Sequence, residues 1–462
     1  MAKKKKKKKK LTKTQKKKLA RFIISMILLV IIIIAFVFFK DKIPFFNQPS
    51  EPNISETSPS TPDSSSEESV VAKVEGITYD NLQFHFLELG VYETGDSTYI
   101  KAGDTDILID AGASTDSVPT LIEYINKYCK DGKLEYVITT HAHADHYSGM
   151  FGKKMSTTNF NGEAITSNGI MYYYQIDTII DFAFSTKADE DYSNTNKDIG
   201  KYTAAVNYAV SKGAKHYTAK DCWTQTNGAS RSYTLDETYN ITMDIIYNKY
   251  YLEKSSDENN HSVCTMFNYN DQHFFLTGDL EKEGEEALAE YYDKSTPEKT
   301  LPHCELFKAG HHGSKTSSND CLLELITPEI CTVCCCAGSS EYTNINDNTF
   351  PTQEFIDRIA KYTDQVYVTS MLDTTASRET NEQVFKSLNG TIIVSSDGSQ
   401  IGLAASNNLT KLKDSDWFNE KIAVKVDDKD RNTICSGNKK KDYYISTDEG
   451  IVIIPRRTWP TV

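Results

Sequence analysis

The hydrophobic positions of the chain fall into three zones. Residues 22–39 form an unbroken apolar run, FIISMILLVIIIIAFVFF, whereas residues 47–69 contain almost no apolar side chain. From about Val70 onward, short apolar runs alternate with Gly, Asp and Asn, as strands separated by turns do. The pattern therefore predicts one apolar helix, one polar segment and a folded body.

The folded body mixes predicted strands and helices. Strands are predicted at 83–90, 241–252, 262–269 and 273–277, in STYIKAG, DILIDAG, YVITTHAH and CELFKAG, and as a hairpin at 390–404. Helices are predicted at 119–130, 200–213 and about 281–292, and in LLELITP and FIDRIAKY. Residues 150–176 are polar and are predicted to form a loop. This order favours a layered α+β domain.

The apolar run has the length and flanks of a membrane anchor. Its 18 residues, rising ~1.5 Å each, span about 27 Å, close to the hydrocarbon thickness of a bilayer. The preceding residues hold twelve Lys, one Arg and no acid, and such a positive flank stays in the cytoplasm. We expect a cytoplasmic polybasic tail at 1–21 that can bind anionic lipids, a single transmembrane helix at 22–39, a disordered Ser/Pro/acidic linker at 40–72, and an extracellular body. A cleaved signal peptide is the alternative, but its apolar core is usually shorter.

Formal charge separates the tail from the body. The whole chain carries −13 and residues 1–21 carry +13, which leaves −26 for the rest. An acidic body lacks the general positive charge that attracts nucleic acid. Binding of a phosphate polymer would need a local basic patch or bound metal ions.

The ten cysteines would suggest disulfides in an extracellular protein. Cys334, Cys335 and Cys336, however, are consecutive in an apolar run predicted as a buried strand, where neighbours are poorly placed to pair. No pair of C-x-x-C units is present, which argues against a cysteine metal site. We expect reduced cysteines in the core.

The segment THAHADHYSG holds His141, His143, Asp145 and His146 at the end of a predicted strand. Positions two apart in an extended chain face the same side, so His141 and His143 can bind one metal ion. The following turn can direct Asp145 and His146 at a second. Imidazole and carboxylate are ligands of zinc, manganese and iron. We expect two divalent ions, with zinc as the first choice and manganese or iron as alternatives.

The HxHxDH segment resembles the signature of the metallo-β-lactamase superfamily. The resemblance implies an αββα sandwich of the α+β class. It implies that Asp110, in LIDAG, orients the metal-binding loop from outside the ligand set, and that Asp279, in FFLTGD, bridges both ions. It also implies a ligand at His311 or His312, in FKAGHHGSKTSS, with His311 as the first choice.

A narrower resemblance covers about residues 82–404. The same segments, with ENNHSV, are similar to the extracellular hydrolase domain of ComEC-type competence DNA-uptake proteins and their stand-alone relatives. We therefore expect a membrane-anchored relative with a hydrolase domain at 73–405. A C-terminal extension at 406–462, with KIAVKVDD and GIVIIP, is predicted to form a small β appendage.

The third histidine of the superfamily has no obvious equivalent. His261, in ENNHSV, lies in the right region and is assigned as a metal ligand. His216 and His273 are other candidates, and His261 is equally well explained as a strand-start residue without a metal role.

The predicted ligand set implies a reaction. Two metal ions about 3.5–4 Å apart can share a bridging water and lower its pKa toward neutrality. Asp145 is assigned a catalytic role beside its metal role, and His312 or Ser314 would donate a hydrogen bond to a phosphate or a leaving oxygen. Lys315 adds a charge suited to an anionic substrate, although a solvated lysine is the simpler explanation.

These expectations describe a membrane-anchored extracellular hydrolase with an anionic phosphoester substrate, either DNA or a cell-surface polymer. A lactone or β-lactam hydrolase is an alternative enzyme. A non-enzymatic surface-binding module on the same scaffold is an alternative from a different class, because fold alone does not determine function.

Overall fold

The computed structural model describes residues 75–189, 192–292, 300–340, 348–373, 385–425, 444–446 and 451–460. The predicted polybasic tail, transmembrane helix and linker lie outside these residues. Among the described residues, no helix combines the length and the apolar character needed to cross a bilayer.

Two large β-sheets form the body. In chain order the strands are β1 Glu75–Gly76, β2 Leu82–Phe86, β3 Thr98–Ala102, β4 Thr105–Ile109, β5 Lys133–Thr139, β6 Lys154–Thr158, β7 Ala164–Ser167, β8 Gln175–Asp181, β9 Lys215–Thr218, β10 Ser232–Asp236, β11 Ile241–Ile245, β12 Thr265–Tyr269, β13 Gln272–Leu276, β14 Leu306–Lys308, β15 Ile330–Ala337, β16 Val366–Leu372, β17 Phe385–Ser387, β18 Ile392–Ser396, β19 Ile401–Ala405, β20 Lys421–Lys425, β21 Tyr444–Ser446 and β22 Ile451–Pro455. The first sheet has the order β1-β19-β18-β2-β3-β4-β5-β8-β9, and the second runs from β10 to β17 in sequence. Strands β6 and β7 form a separate hairpin, and β20, β22 and β21 form a three-stranded sheet.

The helices are short. They are α1 Val118–Ile125, α2 Ala144–Phe151, α3 Ile170–Tyr173, α4 Asp198–Ser211, α5 Ala219–Thr224, α6 Lys282–Tyr291, α7 Asp320–Ile326, α8 Gln353–Ile359 and α9 Asp416–Asn419. Single 3₁₀ turns occur at Thr186–Asp189, Lys249–Tyr251, Asn259–His261, Gly310–Gly313 and Leu412–Asp414.

The apolar side chains arrange these elements in four layers. The inner faces of the two sheets share one core, in which the Phe84 ring of β2 lies 5.2 Å from Phe267 of β12 and 4.8 Å from Phe274 of β13, centroid to centroid. Helices α1 to α4 cover the outer face of the first sheet. Helices α6 to α8 cover the outer face of the second. The expected order of helix, sheet, sheet and helix is therefore present.

Parallel strands occupy one half of each sheet. Strands β4, β5, β8 and β9 run parallel in the first sheet, and β13 to β16 run parallel in the second. Their carboxyl ends are the usual place for ligand-binding loops in such sheets. The loops after β4, β5, β13 and β14 contain the predicted site residues except His261, which lies in the 3₁₀ turn Asn259–His261 before β12.

The predicted elements differ from the structure in identifiable places. The segment 150–176, predicted as a loop, contains the β6–β7 hairpin and α3. The pattern did not predict the hairpin because it is mostly exposed and has few alternating apolar positions. The strand predicted at 241–252 ends at Ile245, and the helix predicted at 119–130 ends at Ile125. In the C-terminal extension, the three-stranded sheet includes both apolar runs.

The cysteines of the described residues are free, and all except the partly buried Cys321 are buried. Cys334, Cys335 and Cys336 lie in β15, whose eight residues are all buried. They fill the second sheet as small apolar residues do.

Candidate metal centre

The chain between β5 and α2 gathers four of the predicted residues. The strand ends at Thr139 and the helix begins at Ala144, which places Asp145 and His146 in the first helical turn. A carboxylate is favourable there because the unpaired N–H groups give the helix N-terminus a partial positive charge. In the loop, His141 Nε2 lies 3.1 Å from His143 Nδ1. The two imidazoles therefore converge as the sequence predicts.

A second group of ligand atoms comes from three different loops. Atoms of Asp145, His146, Asp279 and His312 all lie within 4.8 Å of one another. Asp279 Oδ2 is at the centre, 3.0 Å from His146 Nε2 and 3.3 Å from His312 Nε2. The Asp279 side chain is buried, and among the described residues its Oδ1 atom has no hydrogen-bond partner.

Asp110 supports this group from behind. It follows β4 in the left-handed backbone region, at φ 58°. Its carboxylate accepts hydrogen bonds from Thr140 N at 2.8 Å and Thr140 Oγ1 at 2.7 Å, and its Oδ2 lies 2.7 Å from His146 Nδ1. This contact leaves the Nε2 atom of His146 facing Asp279, an arrangement expected of a residue that orients a ligand.

The two adjacent histidines of the GHHG segment point to different places. His312 is inside the four-residue group, with Nε2 3.2 Å from Asp145 Oδ2 and Nδ1 2.9 Å from the Cys334 carbonyl. His311 has Nδ1 3.1 Å from Glu281 Oε1, and its Nε2 is 3.9 Å from Asp279 Oδ2. The structure therefore brings His312, rather than the first-choice His311, into the ligand group.

Sequence reasoning missed a buried cation beside the centre. The Lys308 ammonium donates to Gly278 O at 3.1 Å, forms an ion pair with Asp96, and lies 3.9 Å from Asp279 Oδ1. Asp96 is also 3.3 Å from His312 Nδ1. The detectable indication was a lysine at the end of an otherwise apolar strand, directly before the GHHG segment.

His261 is buried, with 1% of its surface exposed. Neither of its ring nitrogens has a hydrogen-bond partner among the described residues. Leaving both nitrogens unsatisfied is costly in a dry interior unless a ligand binds there. By contrast, His216 pairs with Asp181 and His273 with Asn268, both outside the ligand group.

The remaining predicted residues have local partners. Ser314 Oγ accepts a hydrogen bond from Thr316 N at 3.1 Å and so caps its own turn. The Lys315 ammonium donates to Asn348 Oδ1 at 2.8 Å. Ser314 therefore has the turn-capping role given as its alternative, whereas Lys315 is half-buried and bonded to Asn348 rather than solvated.

Glu258 was not predicted and holds the metal-binding loop in place. Its Oε1 accepts a hydrogen bond from Ala142 N at 3.1 Å. Its Oε2 accepts from Ser185 Oγ at 2.9 Å and from Thr186 N at 2.6 Å.

Electrostatics divides the imidazoles into two sets. Burial lowers the pKa of His141, His143 and His261, which keeps their rings neutral and ready to bind a cation. Burial also lowers the pKa of His146 and His312, but the Asp279 carboxylate and other nearby acids outweigh it and hold both well above the ordinary value.

The donor set fits divalent cations. Asp96, Asp110, Asp145 and Asp279 gather around one buried site, where Lys308 supplies a single permanent positive charge. Buried carboxylates need compensating charge. Imidazole nitrogens with carboxylate oxygens are the ligands of zinc, manganese and iron. The residues that would hold the ions are His141, His143, Asp145, His146, His261, Asp279 and His312.

The paired sheets and this imidazole–carboxylate group define a metal-binding domain with two sheets between helix layers. Residues 92–152 match the family model of the metallo-beta-lactamase superfamily. This segment contains Asp96, Asp110 and the HAHADH residues. The chain is thus similar to this superfamily over residues 92–152, and the structure brings together residues that could hold metal ions. No curated protein matches the chain.

Several solved structures are similar to this one. The metallo-beta-lactamase fold protein YhfI from Bacillus subtilis is 11% identical, with a TM-score of 0.32 over 63% of this chain and 96% of that one. A diphosphatase of the PhnP family is 9% identical, with a TM-score of 0.27 over 54% and 85%. CmlA, a diiron beta-hydroxylase from Streptomyces venezuelae, is 8% identical, with a TM-score of 0.29 over 55% and 45%.

Proposed function

We propose that this domain is a metal-dependent hydrolase that cleaves phosphoester bonds. The supporting observation is the group formed by Asp145, His146, Asp279 and His312, whose ligand atoms lie within 4.8 Å of one another beside the His141–His143 pair. When bound, two divalent ions would supply an activated water and would stabilise charge that develops on the attacked group.

The residues around the candidate metal centre have different roles. His141, His143 and His261 offer neutral ring nitrogens, and Asp279 Oδ2 contacts both His146 Nε2 and His312 Nε2. Asp110 fixes the orientation of His146 through the 2.7 Å contact. Lys308 forms an ion pair with Asp96 and lies 3.9 Å from Asp279 Oδ1. Burial raises the pKa of Asp96, but the Lys308 charge and His312 outweigh it and keep this carboxylate ionised.

A phosphoester is favoured because a cationic centre attracts a phosphate anion. The body is acidic, so bound metal ions would provide the local positive charge that such a substrate needs. DNA and phosphate-bearing surface polymers are the two substrate groups within this class, and the ComEC-type resemblance favours DNA.

The location is a separate proposal that rests on sequence alone. The apolar run at 22–39 and the lysines before it support a single-pass anchor with a cytoplasmic N-terminus. The hydrolase domain would then lie outside the cell, within reach of DNA or surface polymers.

The test uses the full-length chain purified in mild detergent. Metal content is measured by elemental analysis, and hydrolysis is measured with bis-p-nitrophenyl phosphate, phosphomonoesters, DNA, wall polymers, a lactone and a β-lactam. We expect about two ions per chain and phosphoester hydrolysis. Asp279→Asn should lower the rate at least 100-fold, because it replaces the central carboxylate. Asp271→Asn, at the other end of β13, should have no effect.

Each alternative gives a different result. A folded protein that binds no metal and cleaves nothing would be a binding module. Hydrolysis of the lactone or the β-lactam without cleavage of any phosphoester would overturn the substrate class but keep the metal centre.

A further inference from the structure

A cleft of about 230 Å³ lies beside the metal centre. The loop after β8, helix α4 and strand β9 form it. Its walls include Asp181, Phe182, Phe184, Tyr192, Tyr202 and His216. None of these residues belongs to the ligand set, so the cleft is a separate feature of the molecule.

The aromatic rings give the cleft flat walls. The rings of Phe182 and Tyr202 stack with centroids 5.7 Å apart and an angle of 29° between their planes. Phe184 is half-buried, and the Lys220 ammonium lies 5.6 Å from the centre of its ring. A cleft with ring faces and a cation at its edge suits a flat, electron-rich group attached to an anion.

A polar pair, His216 and Asp181, could form a hydrogen bond with such a group. His216 Nε2 lies 2.9 Å from Asp181 Oδ2, and the Tyr202 hydroxyl donates to the same oxygen at 3.1 Å. The Asp181 side chain is 7% exposed, whereas His216 is 34% exposed. The buried carboxylate therefore orients an imidazole whose open side faces the cleft.

Two contacts connect the cleft to the metal centre. The Phe184 ring lies 6.3 Å from the His261 ring, centroid to centroid. Ser185 and Thr186, next along the chain, donate to Glu258, whose other oxygen accepts the Ala142 N–H between His141 and His143. One carboxylate thus fixes both the cleft wall and the metal-binding loop.

We propose that this cleft binds a nucleobase of the substrate, stacked against Phe184 and hydrogen-bonded by His216. Base stacking on aromatic side chains accepts any base, and a neighbouring hydrogen-bonding side chain adds selectivity. Binding of a nucleobase in this cleft does not depend on the proposed hydrolysis. A role of the cleft in positioning a substrate for cleavage does rest on that proposed function. The inference narrows the substrate class from phosphoesters in general to nucleotides and nucleic acids.

The test measures binding without catalysis. Full-length protein in detergent, freed of metal with a chelator, is titrated with adenosine 5′-monophosphate and with ribose 5-phosphate by calorimetry. We expect the nucleotide to bind at least tenfold more tightly, because only it carries a base. Phe184→Leu should remove most of this preference, and His216→Gln should weaken it at least threefold. Tyr239→Leu, which alters an exposed aromatic residue on the β10–β11 turn, should leave it unchanged.

The outcomes separate this inference from the proposed function. Equal binding of both ligands by the wild type, or a preference that survives Phe184→Leu and His216→Gln, would overturn the nucleobase site even if phosphoesters are cleaved. A preference lost in both variants would support it even if the metal-loaded protein cleaves nothing. Thermal melting of each variant identifies a misfolded protein, and the other variant then decides.

Discussion

The two ring nitrogens of His146 have different tasks. Nδ1 faces Asp110 at 2.7 Å and Nε2 faces Asp279 at 3.0 Å. A histidine held in this way presents one defined nitrogen to a metal ion, and the outer carboxylate sets which one. The same logic distinguishes the histidines of the GHHG segment, because only His312 has its Nε2 within the ligand group.

This distinction predicts different effects of two neighbouring substitutions. His312→Ala should lower the affinity for the second metal ion about 10-fold to 100-fold or more, since it removes a ligand atom. His311→Ala should change this metal affinity much less, because His311 Nδ1 lies 3.1 Å from Glu281 and its Nε2 is 3.9 Å from Asp279 Oδ2. Titration of metal-free protein with zinc, followed by competition with a chelator, measures both. Equal losses would contradict the assignment.

The His216–Asp181 pair predicts a pH-dependent contribution to stability. Burial lowers the pKa of His216, but the hydrogen bond and charge of Asp181 outweigh it and raise the pKa above the ordinary 6.5. A raised histidine pKa stabilises the fold fully below about pH 6.5, and this stabilisation is lost as the pH rises through the folded-state value.

The difference in melting temperature between wild type and His216→Gln should therefore be largest at pH 5.5 and shrink toward pH 8.5. Differential scanning fluorimetry across this range measures it. Asp181→Asn removes the cause of the shift and should flatten the same profile. A difference that grows with pH would refute this assignment.

At the scale of elements, the loop after the GHHG segment is held from two sides. Arg358 of α8 donates to the carbonyls of Ser314, Lys315, Ser317 and Ser318 at 2.7–3.4 Å. Glu285 of α6 accepts from the N–H groups of Ser318 and Asn319. Two helices thus immobilise the loop that follows His312.

Replacement of Arg358 by Lys should destabilise the protein by about 1–3 kcal/mol, because one ammonium cannot reproduce a planar fork of donors. Urea unfolding measures the change. Lys361→Met removes an exposed ion pair with Asp320 on the same side of the domain and should cost less than about 1 kcal/mol. If Arg358→Lys lowers the free energy of unfolding no more than Lys361→Met does, Arg358 does not hold the loop after His312 in place.

The elements with strong periodicity were predictable, and those held by tertiary contacts were not. The strands before LIDAG, THAHADH and FFLTGD are apolar runs ended by polar ligands, so their positions and the ligand residues could be inferred together. The β6–β7 hairpin is largely exposed and has no such pattern. Glu258 could not be identified because its importance arises from a partner distant in sequence, Ala142. The position of Lys308 at the end of an apolar strand was detectable, but its partner Asp96 was not.

At the scale of the whole molecule, one aromatic group joins the two sheets. Phe84 is fully buried and contacts Phe267 and Phe274 across the sandwich. The layered class was predictable from the alternation of strands and helices. The pairing of the last hairpin with the second strand was not, because local pattern carries no information about distant partners.

Phe84→Ala should cost about 3–5 kcal/mol, since it removes a large buried ring and leaves a cavity between the sheets. Ile77→Ala, whose side chain is 63% exposed, should change stability by less than about 0.5 kcal/mol. Urea unfolding of both variants provides the comparison. A loss below 1 kcal/mol at Phe84 would show that the core can close around the gap.

The strand order also has a consequence for synthesis. Strands β18 and β19 lie between β1 and β2, and Tyr79 N donates to Ser395 Oγ across 316 residues of chain. At about 5–20 residues per second, the ribosome needs about 15–60 s to deliver the missing neighbour of β2. By the end of that interval every ligand-bearing loop has been made, but the first sheet still lacks the neighbour of β2 at one edge. The unpaired edge of β2 can pair with a strand of another chain until β18 and β19 have been made. The nascent chain therefore needs protection from aggregation during this time.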